Sequence, residues 1–197
     1  RLSLPGFSQT NPLSCESKEL IDENIEHYHI QDSTNNYRLQ NIHILRIPLH
    51  SLGTKYDLLL ASSDSTLHST SYFAQQHNAI AAINGGFFDV RKGGSISYIE
   101  ESGKKTSIRS MRVEVIEDEK SNINGAVSLS LNAEVLIGAN KPSDEFLQSE
   151  AEKWILTTGP LLLHKGERQV LLDGSFSTKR HPRSCLGKDA DFLYFIT

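Results

Sequence analysis

At 197 residues the chain is long enough for one well-buried core and short for two, so a single domain is the starting expectation. Hydrophobic residues at 38% and charged residues at 22% exclude a disordered chain and a membrane-embedded one, and no apolar run is long enough to cross a bilayer. A net charge of -4 offers no basic face to draw in nucleic acid, so any phosphate has to be met locally.

Residues 1–36 are polar, rich in Ser, Asn, Glu and His, and interrupted by Pro5, Gly6 and Pro12. They read as an irregular leader with a short helix near residues 17–26. The start at Arg1, with no initiator Met, fits a processed and exported protein (periplasmic, cell-surface or secreted) or a recombinant start. Cys15 and Cys185 suit one disulfide in an exported protein or two buried thiols, and nothing in their spacing specifies a bridge or a metal site, which favours thiols. The domain proper is expected over 37–197, where Ile42, Ile44, Leu45 and Ile47 have the spacing of a strand that Pro48 limits.

Residues 56–61 read as a second strand, and Ser69 or Thr70 can cap a short helix ending near Gln76. A small apolar run at 79–83 predicts a buried strand that delivers Asn84-Gly85-Gly86-Phe87-Phe88-Asp89 at its end. Further strands are expected at 95–100, 111–117 and 126–131, with turns at Ser102-Gly103 and Asn124-Gly125. Ser143 as N-cap, with Asp144 and Glu145 in the first turn, predicts a helix to about Trp154. A strand at 155–158, a break at Gly159-Pro160, a hairpin over 161–170 turning at Lys165-Gly166, and a last strand over 191–197 complete the pattern. Many strands, few helices and no regular βαβ alternation give an α+β fold on a mixed or largely antiparallel sheet.

Three segments carry candidate chemistry. At Asn84–Asp89, two glycines permit positive φ and close backbone approach to a ligand, while adjacent Phe87 and Phe88 point to opposite faces of a strand, leaving one for a sugar ring. For an isolated Gly-Gly, the ordinary reading is a tight turn with one Phe in the core. In Thr178-Lys179-Arg180-His181-Pro182-Arg183-Ser184, three fixed cations and an imidazole concentrate in seven positions. Arginine's planar fork matches phosphate oxygens, although a solvated basic loop is the commoner meaning of such clusters. Pro182 stiffens the segment, and Leu186 and Gly187 suggest that a strand follows at once. Thr157-Thr158-Gly159-Pro160 alone is a strand-ending turn. The eight histidines show no metal-ligand spacing, His27 and His29 are expected to be exposed, and neither a metal nor a cofactor is expected.

Taken in order, Ala82-Ile83-Asn84-Gly85-Gly86-Phe87-Phe88, Thr158-Gly159-Pro160 with Leu162, and Arg180-His181-Pro182-Arg183-Ser184 with Gly187 resemble the phosphodiester glycosidase family, over roughly residues 40–197. The resemblance implies a hydrolase that cleaves a sugar-1-phosphodiester at the sugar carbon and releases a phosphate monoester. It implies that Arg180 and Arg183 hold phosphate oxygens and that His181 donates a hydrogen bond or carries a proton; Asp89, which follows the Gly-Gly-Phe-Phe segment at the mouth of a strand, is the local choice for a carboxylate beside the sugar, the alternative being one in the absent C-terminal portion. Asn84, Gly85, Gly86, Phe87, Phe88, Gly159 and Ser184 form the implied substrate-binding set. These segments are expected to converge on one concave pocket. The family's Asp-Gly-Arg motif and late Asn-Leu-Asp-Gly-Gly-Gly-Ser loop do not occur before Thr197, so the family domain is expected to be incomplete at its C-terminus, with one side of the pocket open and the remainder on a further segment or separate fragment. A competing expectation is a module that binds phosphorylated or acidic glycans without cleaving them, and a third treats all three motifs as turn and core elements.

Overall fold

The computed structural model describes residues 15–32, 40–61, 66–105, 122–140 and 152–197. Among them the strands are β1 (Cys15–Asp22), β2 (Ile25–Asp32), β3 (Gln40–Pro48), β4 (Ile99–Glu101), β5 (Lys104–Lys105), β6 (Gly125–Ser130) and β7 (Val135–Ala139), followed by β8 (Glu152–Thr158), β9 (Leu163–His164), β10 (Glu167–Arg168), β11 (Cys185–Lys188) and β12 (Phe192–Ile196). The helices are α1 (Thr70–Gln76) and α2 (Ser175–Thr178). Antiparallel sheets with little helix make this the α+β class that the sequence predicts. The chain divides into two compact units, Arg1–Pro48 with Cys185–Thr197, and Leu49–Ser184.

In the first unit the sheet order is β1-β2-β3-β12-β11, antiparallel throughout. One face centres on Ile25, Ile47, Leu193 and Phe195, all buried. Alternation along β2 and β3 carries His27, His29 and His43 onto that same face, where the rings of His27 and His29 each stack on His43 at 5.2 and 4.6 Å. On the other face Glu26 accepts from Lys18 and Arg46 at 2.6 Å each and from the Tyr28 hydroxyl at 2.8 Å, and Arg46 lies over the Phe192 ring. The irregular leader expected over 1–36, with its short helix near 17–26, is therefore corrected within residues 15–32 to a β-hairpin paired onto β3. Its strands are polar because cross-strand ion and ring pairs, rather than apolar alternation alone, fill their faces.

In the second unit the sheet order is β5-β4-β8-β6-β7. β8 lies between β4 and β6, and Ala126, Val127, Leu129, Val135, Ile155 and Leu156 are buried around it. Ser102-Gly103 and Lys165-Gly166 both have positive φ at each residue, the requirement of a two-residue hairpin turn, and they join β4 to β5 and β9 to β10. Ser69 caps α1 by accepting from the Tyr72 amide at 3.1 Å.

Other expectations change. Residues 56–61 form no strand beyond one bridge between Leu52 and Tyr56; they are held instead by the Trp154 indole, which donates to the Leu58 carbonyl at 3.0 Å, and by Lys153, which pairs with Asp57. The run at 79–83 is neither a strand nor buried, with Ile80 half exposed, since no neighbouring strand supplies it with a ladder among the described residues. The strand expected over 95–100 is shorter, beginning at Ile99 after a Phe88–Ser95 bridge. The strand at 111–117 and the body of the helix from Ser143 lie outside the described residues, and Glu152 to Trp154, expected as that helix's end, instead open β8. Cys185 is a free thiol whose pKa burial pushes up.

Candidate functional site

The segment after Asn84 is anchored to the core of the second unit from below. Ser97 is fully buried, and its Oγ accepts from the Phe87 amide at 2.8 Å. Ser95 Oγ donates to the carbonyls of Phe87 and Ser97 at 3.3 and 3.0 Å. A Cβ on Gly86 would stand 2.6 Å from Ser97 Oγ, and one on Gly85 would stand 3.1 Å from a Leu156 methyl. Neither glycine has positive φ. The expectation of positive φ is corrected: their missing side chains let the chain lie close against Leu156 and Ser97. At the end of β8, Thr158 Oγ1 donates to the Gly85 carbonyl at 3.3 Å, so the first and third motifs meet.

The third motif is fixed by Asn124, expected only as a turn residue. Asn124 Oδ1 accepts from the Leu161 amide at 2.7 Å, and a Cβ on Gly159 would stand 2.9 Å from that same oxygen and against the Asn122 carbonyl. The Gly159–Pro160 peptide bond is cis.

The second motif joins the first through side chains. Ser184 Oγ donates to Asn84 Oδ1 at 2.5 Å, across a hundred positions of sequence. The Arg183 guanidinium lies over the Phe176 ring at 4.3 Å and donates to the Phe176 carbonyl, while the Phe176 ring packs 5.6 Å from that of Phe87. Asn84, Phe87, Arg183 and Ser184 are thus brought together, with Phe88 half exposed beside them at 52%. Arg180 and His181 are exposed on the same loop as Arg183.

Asp89, expected as the carboxylate beside the sugar, opens a turn. Its Oδ1 accepts from the amides of Arg91 and Lys92 at 2.8 and 2.9 Å, so that oxygen closes the turn that carries it. A groove of about 380 Å³ lies at the opposite end of β8, lined by Tyr56, Asp57, Leu131, Lys153 and their neighbours, and none of the motif residues lines it. Among the described residues, no group of three or more His, Cys, Asp and Glu side chains could hold a metal ion.

A family model described as phosphodiester glycosidase matches residues 77–197, which takes in all three motifs and more than half the chain. The chain belongs to the phosphodiester glycosidase family. No curated protein and no solved structure matches it. The match begins well after residue 40, so β1, β2 and β3 stand outside the part of the chain that the family model covers. Phe176, Ser97 and Asn124 are the residues that sequence reasoning missed. Ser97 alone carried a usable signal, lying two positions after Ser95 in the strand expected beside the glycine turn.

Proposed function

We propose that this phosphodiester glycosidase hydrolyses a sugar-1-phosphodiester at the sugar carbon. The observation that carries the reading is the meeting of Arg183, an aromatic pair and Asn84 in one place, because a sugar phosphate asks for a cation fork, a ring-sized apolar face and a hydrogen-bonding amide together. The departing phosphate monoester has a second pKa of about 6, so it leaves with little help from a general acid. The bond between the sugar carbon and the bridging oxygen breaks, with its electron pair staying on that oxygen. Water's oxygen bonds to the same carbon, and its proton passes to the released phosphate or to solvent. Arg183, with one N–H engaged by the Phe176 carbonyl, directs its remaining donors to the phosphate oxygens, joined by Arg180 and His181 from the same loop. Asn84 has its Oδ1 engaged by Ser184, which leaves its NH2 group to donate to a sugar hydroxyl, and exposed Phe88 offers the ring face.

A second reading, a glycan-phosphate binding module without turnover, is favoured by the engagement of Asp89 in its own turn. One experiment separates the two. A sugar-1-phosphodiester is incubated with the protein in isotopically labelled water, and both products are weighed by mass spectrometry. Label in the sugar is expected. Label in the phosphate would mean attack at phosphorus and overturn the reading, and binding with no label in either product would favour the module. Arg183→Lys, which keeps the charge and loses the fork, should cut turnover on the order of tenfold or more with folding unchanged.

A further inference from the structure

We propose that Phe176 is a positioning residue that fixes the direction of the Arg183 fork, and that Phe87 holds Phe176 in place. The proposal rests on the reading of Arg183 as an anion clamp. Arg183 is exposed, and an exposed arginine left to itself samples many rotamers, so ordering it around an anion weakens binding. Here two contacts with a single residue restrain it. The ring of Phe176 sets the plane of the guanidinium from below, and the Phe176 carbonyl takes one of its N–H groups. A face and an edge together define an orientation, which neither contact does alone.

Phe176 is itself held by its surroundings. Its backbone belongs to the single turn of α2, closed by the amides of Ser177 and Thr178 and by Thr178 Oγ1, all donating to the Gly174 carbonyl at 3.0, 2.9 and 2.8 Å. Its ring leans on Phe87 with the planes tilted by 50°, and the Phe87 amide is tied to fully buried Ser97. A continuous line of contacts therefore runs from the core through Phe87 and Phe176 to the charged tip. The two adjacent phenylalanines divide the work: Phe87 supports the clamp, and Phe88 is left exposed for a ligand.

The plain alternative is a small apolar cluster with an arginine resting on it by chance. Phe176→Leu separates the two, because it keeps the apolar volume and loses the ring face, while Phe176→Tyr keeps the face. Inorganic phosphate, titrated by calorimetry into the full chain, is the probe; its binding does not depend on which bond is cut or on whether any is cut, so the label experiment judges the reaction and this one judges the clamp. Phe176→Leu should weaken phosphate binding about two- to fivefold, the range of an exposed cation–π contact. Phe176→Tyr should restore it, and Phe176→Leu should add nothing in an Arg183→Ala background. Wild-type affinity in Phe176→Leu, an equal loss in the Arg183→Ala background, or no phosphate binding by the wild type would each overturn the proposal. A readout that needs no variant is the Arg183 Nε–H proton in the NMR spectrum of the wild type. The Phe176 ring current should shift it upfield, and a signal at the position of a freely solvated arginine would also overturn it.

Discussion

Glu26 on β2 of the first unit's sheet has two cations and a phenol within hydrogen-bond distance, whereas the central strand of the second unit's sheet, β8, sets Ile155 and Leu156 in an apolar core. Burial pulls the Glu26 pKa up and is outweighed by the bonds from Lys18 and Tyr28 and the charge of Arg46, which hold the carboxyl below its ordinary value. Beside it, burial and a bond to Asp189 push the Tyr194 hydroxyl up to about 12. The lesson is that the two sheets answer to different variables: pH acts on the first, and packing volume governs the second. The candidate site belongs to the second.

The comparison breaks most sharply at Ile155, which is 1% exposed. Ile155→Ala should cost about 2–5 kcal/mol in denaturant unfolding, through lost burial and a cavity. A cost under about 1 kcal/mol would show that β8 is not the packed centre described here. Next in size is Glu26→Gln, which leaves Arg46 and Lys18 facing each other without their anion and should cost about 1–3 kcal/mol at neutral pH. Because the folded carboxyl sits below its ordinary value of 4.5, its contribution is present above that pH and lost as pH falls through the folded value. The difference between wild type and Glu26→Gln should therefore shrink in acid, and a constant difference would contradict the pairing.

The smallest effect belongs to His43. Burial, then the charges of His29 and His27, push its pKa below 6.5. The unfolded chain then takes up a proton that the folded chain resists, so stability falls as pH drops from 6.5 through the folded value. On the same face, Glu19 of β1 accepts from His27 at 2.7 Å and tempers the effect. Screening at this exposed ring keeps it below about 1 kcal/mol. His43→Gln should flatten the stability profile between pH 7 and 5, roughly the range of histidine titration, and an unchanged profile would remove the histidine stack as its cause.

What could be read from the sequence was what local chemistry decides. Ser69 as a cap and the turns at Ser102-Gly103 and Lys165-Gly166 depend on a few adjacent residues, and they stand where expected. The hairpin of β1 and β2 escaped notice because its side chains are satisfied across strands: Lys18 and Glu26 look like solvated charges until the strands pair and bring them onto one face. Residues 79–83 failed in the reverse sense, since apolar character marks a wish for burial and says nothing of a partner strand. At the site, three motifs named the residues that meet. Phe176 had no local mark, because its role lies in contacts with Phe87 and Arg183 that only the fold creates.

The first unit is discontinuous in sequence, and that has a consequence for how it is made. β3 pairs with β12, Pro48 opposite Phe192, and the whole second unit is strung between them. The meander of β1, β2 and β3 needs only near neighbours, as does the β11–β12 hairpin, but joining them closes a long loop and belongs among the slow, late steps of assembly. Synthesis from the N-terminus therefore leaves one edge of β3, with Ile44 and Leu45 at its centre, without a partner until residues 192–196 have left the ribosome. For that interval the nascent chain carries an open strand edge that invites pairing with other chains, and the arrival of β12 closes it.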